Sequence, residues 1–473
     1  MSEPLIITIS GMRGIVGENL TDEVAAEYGS SFGTFLKKAQ GKKRNGPTVC
    51  IGRDSRPSGP MLMSAVAAGL CAVGVDVIEL GVVTTPGVGV MVRYLGCSGG
   101  VIITASHNPI QYNGIKLLLS NGVAPTAKTA EQIKKYFFDK KFDFVDSPHC
   151  GKISYNDQAD AVHIEKVLSI VDTKAIKNRN FKVVLDSVNG AGGRVTMKML
   201  GELGCKVVAI NDRPTGLFAH RPEPTAKNLN GLCEIVKKES AQAGFGQDPD
   251  ADRLAIIDEN GNYIGEEYTL ALAARQIFAH KRGKAATNLS TSRMLDDVAK
   301  KYGGKVIRTA VGEANVAAAM LKHKCVIGGE GNGGVIDLRV GPVRDSLVAI
   351  ALVLQLMTET DKTVGQLAKE IGGYYMSKDK FVADSRQAEQ ILAEARKIFP
   401  EAKVDTTDGC RFDFEDGWVH LRASNTEPVM RLIVEAKDRS TAKKYIDAVS
   451  GIRRQILGPP RRPLGDALRR ELK

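Results

Sequence analysis

The sequence has no C-x-x-C pair, no run of about 18 apolar residues, and no basic-then-apolar leader within Met1 to Gly11. Its eight cysteines, at positions 50, 71, 97, 150, 205, 233, 325 and 410, are spread along the chain. That spacing excludes a tight disulfide framework and fits a reducing compartment. With neither leader nor spanning segment, the expected location is cytoplasmic and no membrane partner is expected. Disorder is excluded too, because 43% hydrophobic against 25% charged residues is ordinary for a globular protein. At 473 residues the chain is long enough for roughly three domains.

The formal charge of +11 admits nucleic acid, an anionic surface or a small anionic substrate. Its distribution narrows the choice. Much of the excess sits in Lys42-Lys43-Arg44, Arg453-Arg454, Arg461-Arg462, Arg469-Arg470 and Lys473, near a terminus or loop, and reads as solvated charge. No nucleic-acid partner is expected. The remainder suits a small anionic ligand bound by a monomer or homodimer.

Three stretches repeat one plan: a β-rich run, a polar or glycine-rich turn, a helix-period segment ending in Gly, and another β-rich run. The first is Thr48 to Gly52, a turn Arg53 to Pro60, Met61 to Val73, Gly74, and Val75 to Leu80. The second is Phe181 to Asp186, a turn Ser187 to Gly193, Arg194 to Leu203, Gly204, and Lys206 to Ile210. The third is Ala285 to Leu289, Ser290-Thr291-Ser292, a helix to Tyr302, Gly303-Gly304, and Lys305 to Arg308. These predict three α/β domains with mixed or parallel sheets. From about Tyr374 the pattern changes to a helix Ala388 to Ile398, strands near Arg411 to Phe414, Trp418 to Arg422 and Met430 to Ala436, and a helix Ser440 to Ile452. That order predicts a smaller α+β domain. Beyond Gly458-Pro459-Pro460 the chain has few apolar residues and is expected to pack weakly.

Four segments carry chemistry. In Thr104-Ala105-Ser106-His107-Asn108-Pro109, a serine follows an apolar run and sits where a strand meets a loop. Ser106 can carry a phosphoryl group or act as a nucleophile, His107 can shuttle a proton, and Lys116 can neutralise phosphate or act as a base. A capped turn explains the same residues equally well. The second segment, Gly246-Gln247-Asp248-Pro249-Asp250-Ala251-Asp252-Arg253, has carboxylates at alternate positions. Such an oxygen-only set suits a hard divalent cation. A calcium-binding EF-hand loop matches at Asp248, Asp250, Asp252 and Glu259 but fails at its sixth position, where Arg253 replaces the turning Gly, and Leu254 to Ile257 reads as a strand.

The third segment, Gly328-Gly329-Glu330-Gly331-Asn332-Gly333-Gly334, places Glu330 and Asn332 on a pliable backbone where they can grip hydroxyls, or where a glycine-rich turn alone suffices. In the fourth, Arg422 to Arg431, two arginines flank Ser424, Asn425 and Thr426. Guanidinium forks and neutral donors together suit a phosphate, although a surface turn between strands is the plainer reading of this segment alone.

Taken in this order, and with Gly11-Met12-Arg13-Gly14-Ile15-Val16-Gly17 ahead of them, the four segments resemble the α-D-phosphohexomutase superfamily of phosphoglucomutases, phosphomannomutases and phosphoglucosamine mutases. The resemblance covers nearly the whole chain. It implies four domains around a central cleft, set here at 1–155, 156–260, 261–373 and 374–458, followed by a basic tail 459–473. It further implies that Ser106 carries the phosphoryl group and that Mg²⁺ is held by that phosphate with Asp248, Asp250 and Asp252. Arg253 would steady the phosphoserine, and Lys116, His107 and Arg13 would handle protons and charge. Glu330 and Asn332 would bind the sugar. Arg422, Ser424, Asn425, Thr426 and Arg431 would bind the phosphate that is not reacting. The implied reaction exchanges hexose 6-phosphate and 1-phosphate through a bisphosphate, with a hexose 1,6-bisphosphate as activator.

Two departures bear on the substrate. Many members have Glu-x-Ser-Gly-His in the sugar loop, which here lacks the histidine, and Gly312-Glu313 stands where glucose and mannose mutases often carry Gly-His. An acidic residue there resembles the phosphoglucosamine branch, where a carboxylate can meet an amino group. Phosphoglucosamine mutase is therefore the first expectation, with phosphomannomutase or phosphoglucomutase next. A phosphatase and a non-catalytic sugar-phosphate-binding protein are the more distant rivals.

Overall fold

A computed structural model describes residues 5–9, 11–41, 46–423 and 429–458. The basic cluster at 42–44, the loop residues Ser424, Asn425 and Thr426, and the tail from 459 lie outside the described residues. The chain divides into two compact units, 1–308 with 312–372, and 309–311 with 373–473.

Three sheets build the first unit, and one strand order runs through all of them. In the first, Thr48–Arg53, Asp76–Val82, Gly99–Ile103 and Tyr112–Leu119 lie in the order second, first, third, fourth. Lys182–Asp186, Lys206–Ile210, Ala243–Gln247 and Leu254–Ile257 repeat that order, and so do Lys284–Asn288, Lys305–Thr309, Ile327–Glu330 and Gly334–Ile336. The first and third strands are parallel in every case. The third and fourth are antiparallel, so a short loop joins them at one end of each sheet. In the first sheet, Ile6–Thr8, Gly11–Ile15 and Ile153–Tyr155 extend the edges to seven strands.

The central strands are apolar because both faces are covered: Gly99–Ile103, Ala243–Gln247 and Ile327–Glu330 are buried at every residue. The helices end at Gly74, Gly204 and Gly303, whose φ angles of 78°, 73° and 69° are the left-handed C-cap expected from the sequence. The first of them, Gly59–Ala72, starts two residues before the expected Met61, because Pro60 has the φ a first helical turn requires. The helix Ser346–Thr360 is buried on all sides from Ser346 to Met357 and packs against Glu267–His280. One apolar cluster joins residues of all three sheets' layers, among them Val88, Leu185, Leu270 and Leu352. Among the described residues, no helix is long and apolar enough to cross a membrane.

The second unit has an antiparallel sheet in the order Tyr375–Val382, Val429–Ala436, Gly417–Ala423, Cys410–Asp413, Lys403–Asp405. The helices Ser385–Ile398 and Arg439–Leu457 cover it, burying Ile391, Phe412, Val434 and Val449. This is the α+β arrangement that the sequence predicts.

Candidate active site

The chemistry-bearing loops of the first unit occupy one structural position. Ser106 follows the third strand of the first sheet, Asp248 follows the third strand of the second, and Glu330 ends the third strand of the third. One loop position, repeated in the three sheets, thus carries a serine, an aspartate cluster and a glutamate.

Ser106 is buried and adopts φ 49°, the left-handed region that non-glycine residues seldom enter. Local bonds hold it there. Its N–H donates to Thr104 Oγ1 (2.9 Å), and its carbonyl accepts from Arg56 Nη2 (2.6 Å). Arg56 also donates to the carbonyls of Asn108 (2.7 Å), Pro109 (2.7 Å) and Tyr112 (3.0 Å), and pairs with Asp54 at 3.0 Å. Thr104 Oγ1 closes the network with a 2.6 Å bond to Asp54. The loop is thus gripped from below by one buried guanidinium.

From above, Ser106 Oγ donates to Asp248 Oδ2 at 2.8 Å and lies 3.4 Å from His107 Nδ1. Burial, with Arg253 and Arg13 close by, pulls His107 down to about 2, so its ring is neutral at physiological pH. The sheet places Arg13 opposite Gly114, two residues from Lys116, so both cations project from the same face. Arg13 Nη1 donates to Asn108 Oδ1 (3.1 Å).

Asp248, Asp250 and Asp252 are fully buried, and each offers an oxygen within 4.8 Å of the others'. Lys116 Nζ (2.6 Å) and Thr85 Oγ1 (2.6 Å) both donate to Asp250 Oδ2, and Lys116 Nζ stands 3.7 Å from Asp252. Arg253 N–H donates to Asp248 Oδ1 (3.1 Å), while its Nε lies 3.7 Å from Asp252. Burial disfavours the charged form of both Asp248 and Asp250. Asp248, beside two other charges, is held well above the usual range, whereas Lys116 and Thr85 keep Asp250 below it. Burial also works against the Lys116 ammonium, but Asp250 and Asp252 outweigh it and hold that group charged.

The residues fit a metal ion by a test independent of any family. Among the described residues, Asp250 Oδ1 and Asp252 Oδ1 are buried without a hydrogen-bond partner, and the donor set is all oxygen. Two buried lone-pair atoms on converging carboxylates are unfavourable without a cation between them.

Glu330 is also buried, and accepts from Asn288 Nδ2 (2.8 Å), the Gly312 N–H (3.2 Å) and Arg344 Nη1 (2.7 Å). Burial opposes its charge, but Arg344 and Asn288 hold it below the usual carboxylate range. Asn332 Oδ1 accepts from the same Arg344 nitrogen at 3.3 Å. Glu313 accepts from the Arg344 backbone N–H at 2.7 Å, and burial pushes its carboxyl up.

In the second unit, Arg422 donates through Nε to Asp408 (3.1 Å), and the strand register sets it directly across from Arg431. Lys380 flanks Arg431 on the other side. Asp408 offsets Arg422, and Arg431 and Lys380 add two further cations across the neighbouring strands. Sequence reasoning missed Lys380, and equally Arg56, Asp54, Thr85 and Arg344. Only the Asp345 side chain, which caps the apolar helix behind Arg344, left a local signal.

Comparison with known proteins bears directly on this geometry. The family models "Phosphoglucomutase/phosphomannomutase, alpha/beta/alpha domain" I, II and III match residues 6–144, 161–261 and 265–374, and the C-terminal domain model matches 380–452. A Thermococcus kodakarensis protein named phosphoglucomutase/phosphomannomutase is 41% identical over 92% of this chain and 96% of its own length. The chain belongs to the phosphoglucomutase/phosphomannomutase family. It is a phosphosugar mutase of the α-D-phosphohexomutase superfamily, an isomerase. A Methanopyrus kandleri member of the family, named "probable phosphoglucosamine mutase", is 36% identical over 95% of this chain and 97% of its own. A crystal structure of a phosphoglucomutase/phosphomannomutase family protein from Burkholderia thailandensis superposes with a TM-score of 0.84 at 26% identity, covering 96% of this chain and 99% of that one. The family acts on phosphosugars and uses a metal ion, which the buried aspartates of this member are able to bind.

Proposed function

We propose that this mutase interconverts hexose 6-phosphate and hexose 1-phosphate through phosphorylated Ser106 and a bisphosphorylated sugar, with glucosamine phosphate as the preferred substrate. The observation that carries the reading is Ser106 Oγ, 2.8 Å from the first of three buried aspartates. Bound there by Asp248, Asp250, Asp252 and the phosphate on Ser106, Mg²⁺ would neutralise charge on the transferring group.

In the first half-reaction the P–Oγ bond of phosphoserine breaks and a P–O bond forms to the free sugar hydroxyl. The hydroxyl proton passes by way of neutral His107, whose Nδ1 is 3.4 Å from Oγ, to the departing serine oxygen, which leaves as Ser106 Oγ–H. Lys116, held charged, and Arg13 and Arg253 offset the negative oxygens. Glu330 and Asn332 would hold the sugar. Arg422, Arg431 and the loop residues Ser424, Asn425 and Thr426 would hold the idle phosphate. The bisphosphate then turns over and returns its other phosphoryl group to Ser106 Oγ. A hexose 1,6-bisphosphate would prime unphosphorylated chains. The working domains in this scheme are 1–155, 156–260, 261–373 and 374–458, each supplying one loop, in a cytoplasmic monomer or homodimer.

A second reading, glucose or mannose phosphate as the better substrate, is favoured by the name of the 41% identical relative. Interconversion assays with the 1- and 6-phosphates of glucosamine, mannose and glucose, with Mg²⁺ and glucose 1,6-bisphosphate, decide between them. Conversion of none of the three sinks the mechanism. Phosphate release without isomerisation identifies a phosphatase instead, and failure of Ser106 to take phosphate from the bisphosphate leaves only a binding protein.

A further inference from the structure

Arg344 lies outside every segment that the sequence singles out, yet its side chain reaches two of the three loops. Nη2 donates to Asp252 Oδ2 at 2.6 Å, and Nη1 donates to Glu330 Oε2 at 2.7 Å and to Asn332 Oδ1 at 3.3 Å. All these carboxylates are buried, and Arg344 itself is 7% exposed. A guanidinium is planar, so its two terminal nitrogens fix the spacing of the groups they bind. This one side chain ties the two loops together at their acidic ends, beside the backbone bond from the Leu254 N–H to the Gly333 carbonyl (3.0 Å).

The backbone of Arg344 is fixed in turn. Its N–H donates to Glu313 Oε1 at 2.7 Å. The next residue, Asp345, donates from its own N–H to the Val335 carbonyl (2.8 Å) and accepts through Oδ1 from Leu347 N–H (2.9 Å) and Val348 N–H (3.3 Å), capping the buried helix. The other oxygen, Oδ2, accepts from His163 Nε2 at 2.6 Å. His163 is fully buried on the helix Ala159–Leu168, and its Nδ1 has no hydrogen-bond partner among the described residues. A histidine in that setting makes one bond, and that bond goes to the residue beside Arg344.

We propose that Arg344 is a positioning residue that holds Glu330 and Asn332 in register with the aspartate loop, and that the His163–Asp345 pair holds Arg344. The proposal rests on the mutase reading and adds to it. The Leu254–Gly333 backbone bond keeps the two loops adjacent, and Arg344 is the strut that sets the side chains of Glu330 and Asn332 against Asp252. A displacement of about 1 Å at a reacting centre can lower a rate about a hundredfold.

The test uses the full chain. Titration calorimetry measures Mg²⁺ alone and glucosamine 6-phosphate alone, and steady-state kinetics measure kcat and KM. Arg344→Met is expected to weaken glucosamine 6-phosphate by about tenfold and to lower kcat/KM by about a hundredfold. Mg²⁺ is expected to bind no more weakly, because a cation competing for Asp252 has gone. Arg344→Lys should recover part of the loss, since an ammonium can serve one carboxylate at a time. His163→Leu should lower kcat/KM by about tenfold, and His163→Gln, whose amide can still donate to Asp345, should restore it. Hexose affinity and kcat/KM within about twofold of the parent in folded Arg344→Met would overturn the proposal. So would Mg²⁺ affinity falling in step with the hexose, or a His163→Leu protein with parental kinetics. If Arg344→Met does not fold, the lysine and His163 variants carry the test. Binding needs no turnover, so a chain that binds the hexose phosphate but never isomerises it sinks the mutase reading and leaves the strut to be judged by the titrations.

Discussion

Arg56→Met is expected to unfold the first unit of this mutase before the second. The guanidinium and its partner Asp54 are both fully buried, 3.0 Å apart. Removing one member of such a pair strands the other charge, at about 3–5 kcal/mol. The carbonyl of buried Ser106, bonded to Arg56 at 2.6 Å, loses its donor as well, which adds about 1–3 kcal/mol. The carbonyls of Asn108, Pro109 and Tyr112 belong to residues with some exposure and can turn to water, so they add little. The total of about 4–8 kcal/mol consumes most of a stability of about 5–15 kcal/mol. The assay exploits the single tryptophan, Trp418, which is buried in the second unit with its Nε1–H donating to Glu435 at 2.6 Å. In urea, far-ultraviolet circular dichroism should show an early transition that Trp418 fluorescence does not. Asp54→Asn on the same background should recover about 1–3 kcal/mol, because the stranded charge has gone. A circular dichroism transition shifted by less than about 1 kcal/mol, or a fluorescence transition shifted equally, would refute the reasoning.

Further outcomes follow from other parts of the molecule. Burial holds His420 down at about 4, with Nε2–H donating to the Asp408 carbonyl at 2.7 Å. A histidine whose folded value lies below its unfolded one of about 6.5 takes up protons more readily when unfolded, so stability is full above that pH and falls as pH drops toward 4, by about 2 kcal/mol at pH 5. Trp418 fluorescence in urea at pH 7 and pH 5 measures it, and a flat profile would contradict the assignment. Lys380→Glu should raise KM for hexose phosphate about fivefold with kcat unchanged, since reversing a surface charge doubles a pair worth about 0.2–1 kcal/mol. An unchanged KM removes Lys380 from the anion row. Lys116→Met takes away the cation 2.6 Å from Asp250. Calorimetry should then show Mg²⁺ binding at least about tenfold tighter, and weaker binding would count against the metal site.

The sequence made the repeats readable because their signals are local. Apolar runs, helix period and a closing glycine placed Lys206–Ile210 and Leu254–Ile257 to the residue, and the Thr48, Lys182 and Lys284 strands to within one. The same locality exposed Ser106 and the alternating aspartates. Arg56 and Arg344 stayed hidden for the opposite reason. Arg56 sits in a turn, where an arginine looks solvated, and the carbonyls it grips lie about fifty residues away, at 106–112. Arg344 meets Asp252 across a separation of 92 residues. Neither pairing leaves a periodicity. The order of strands within each sheet was likewise beyond reach, and with it the fact that the three loops are one loop repeated.

The left-handed backbone of Ser106 sets activity against robustness at a single residue. Elsewhere in a fold alanine is the safer replacement and glycine the costlier one. At φ 49° the order reverses, because a Cβ is what the conformation resists. Ser106→Gly should therefore resist urea better than Ser106→Ala, by about 1 kcal/mol, although both abolish phosphoryl transfer. On the mechanism proposed above, a serine in so unfavourable a conformation is kept for its oxygen, and drift that stabilises this loop would silence the enzyme.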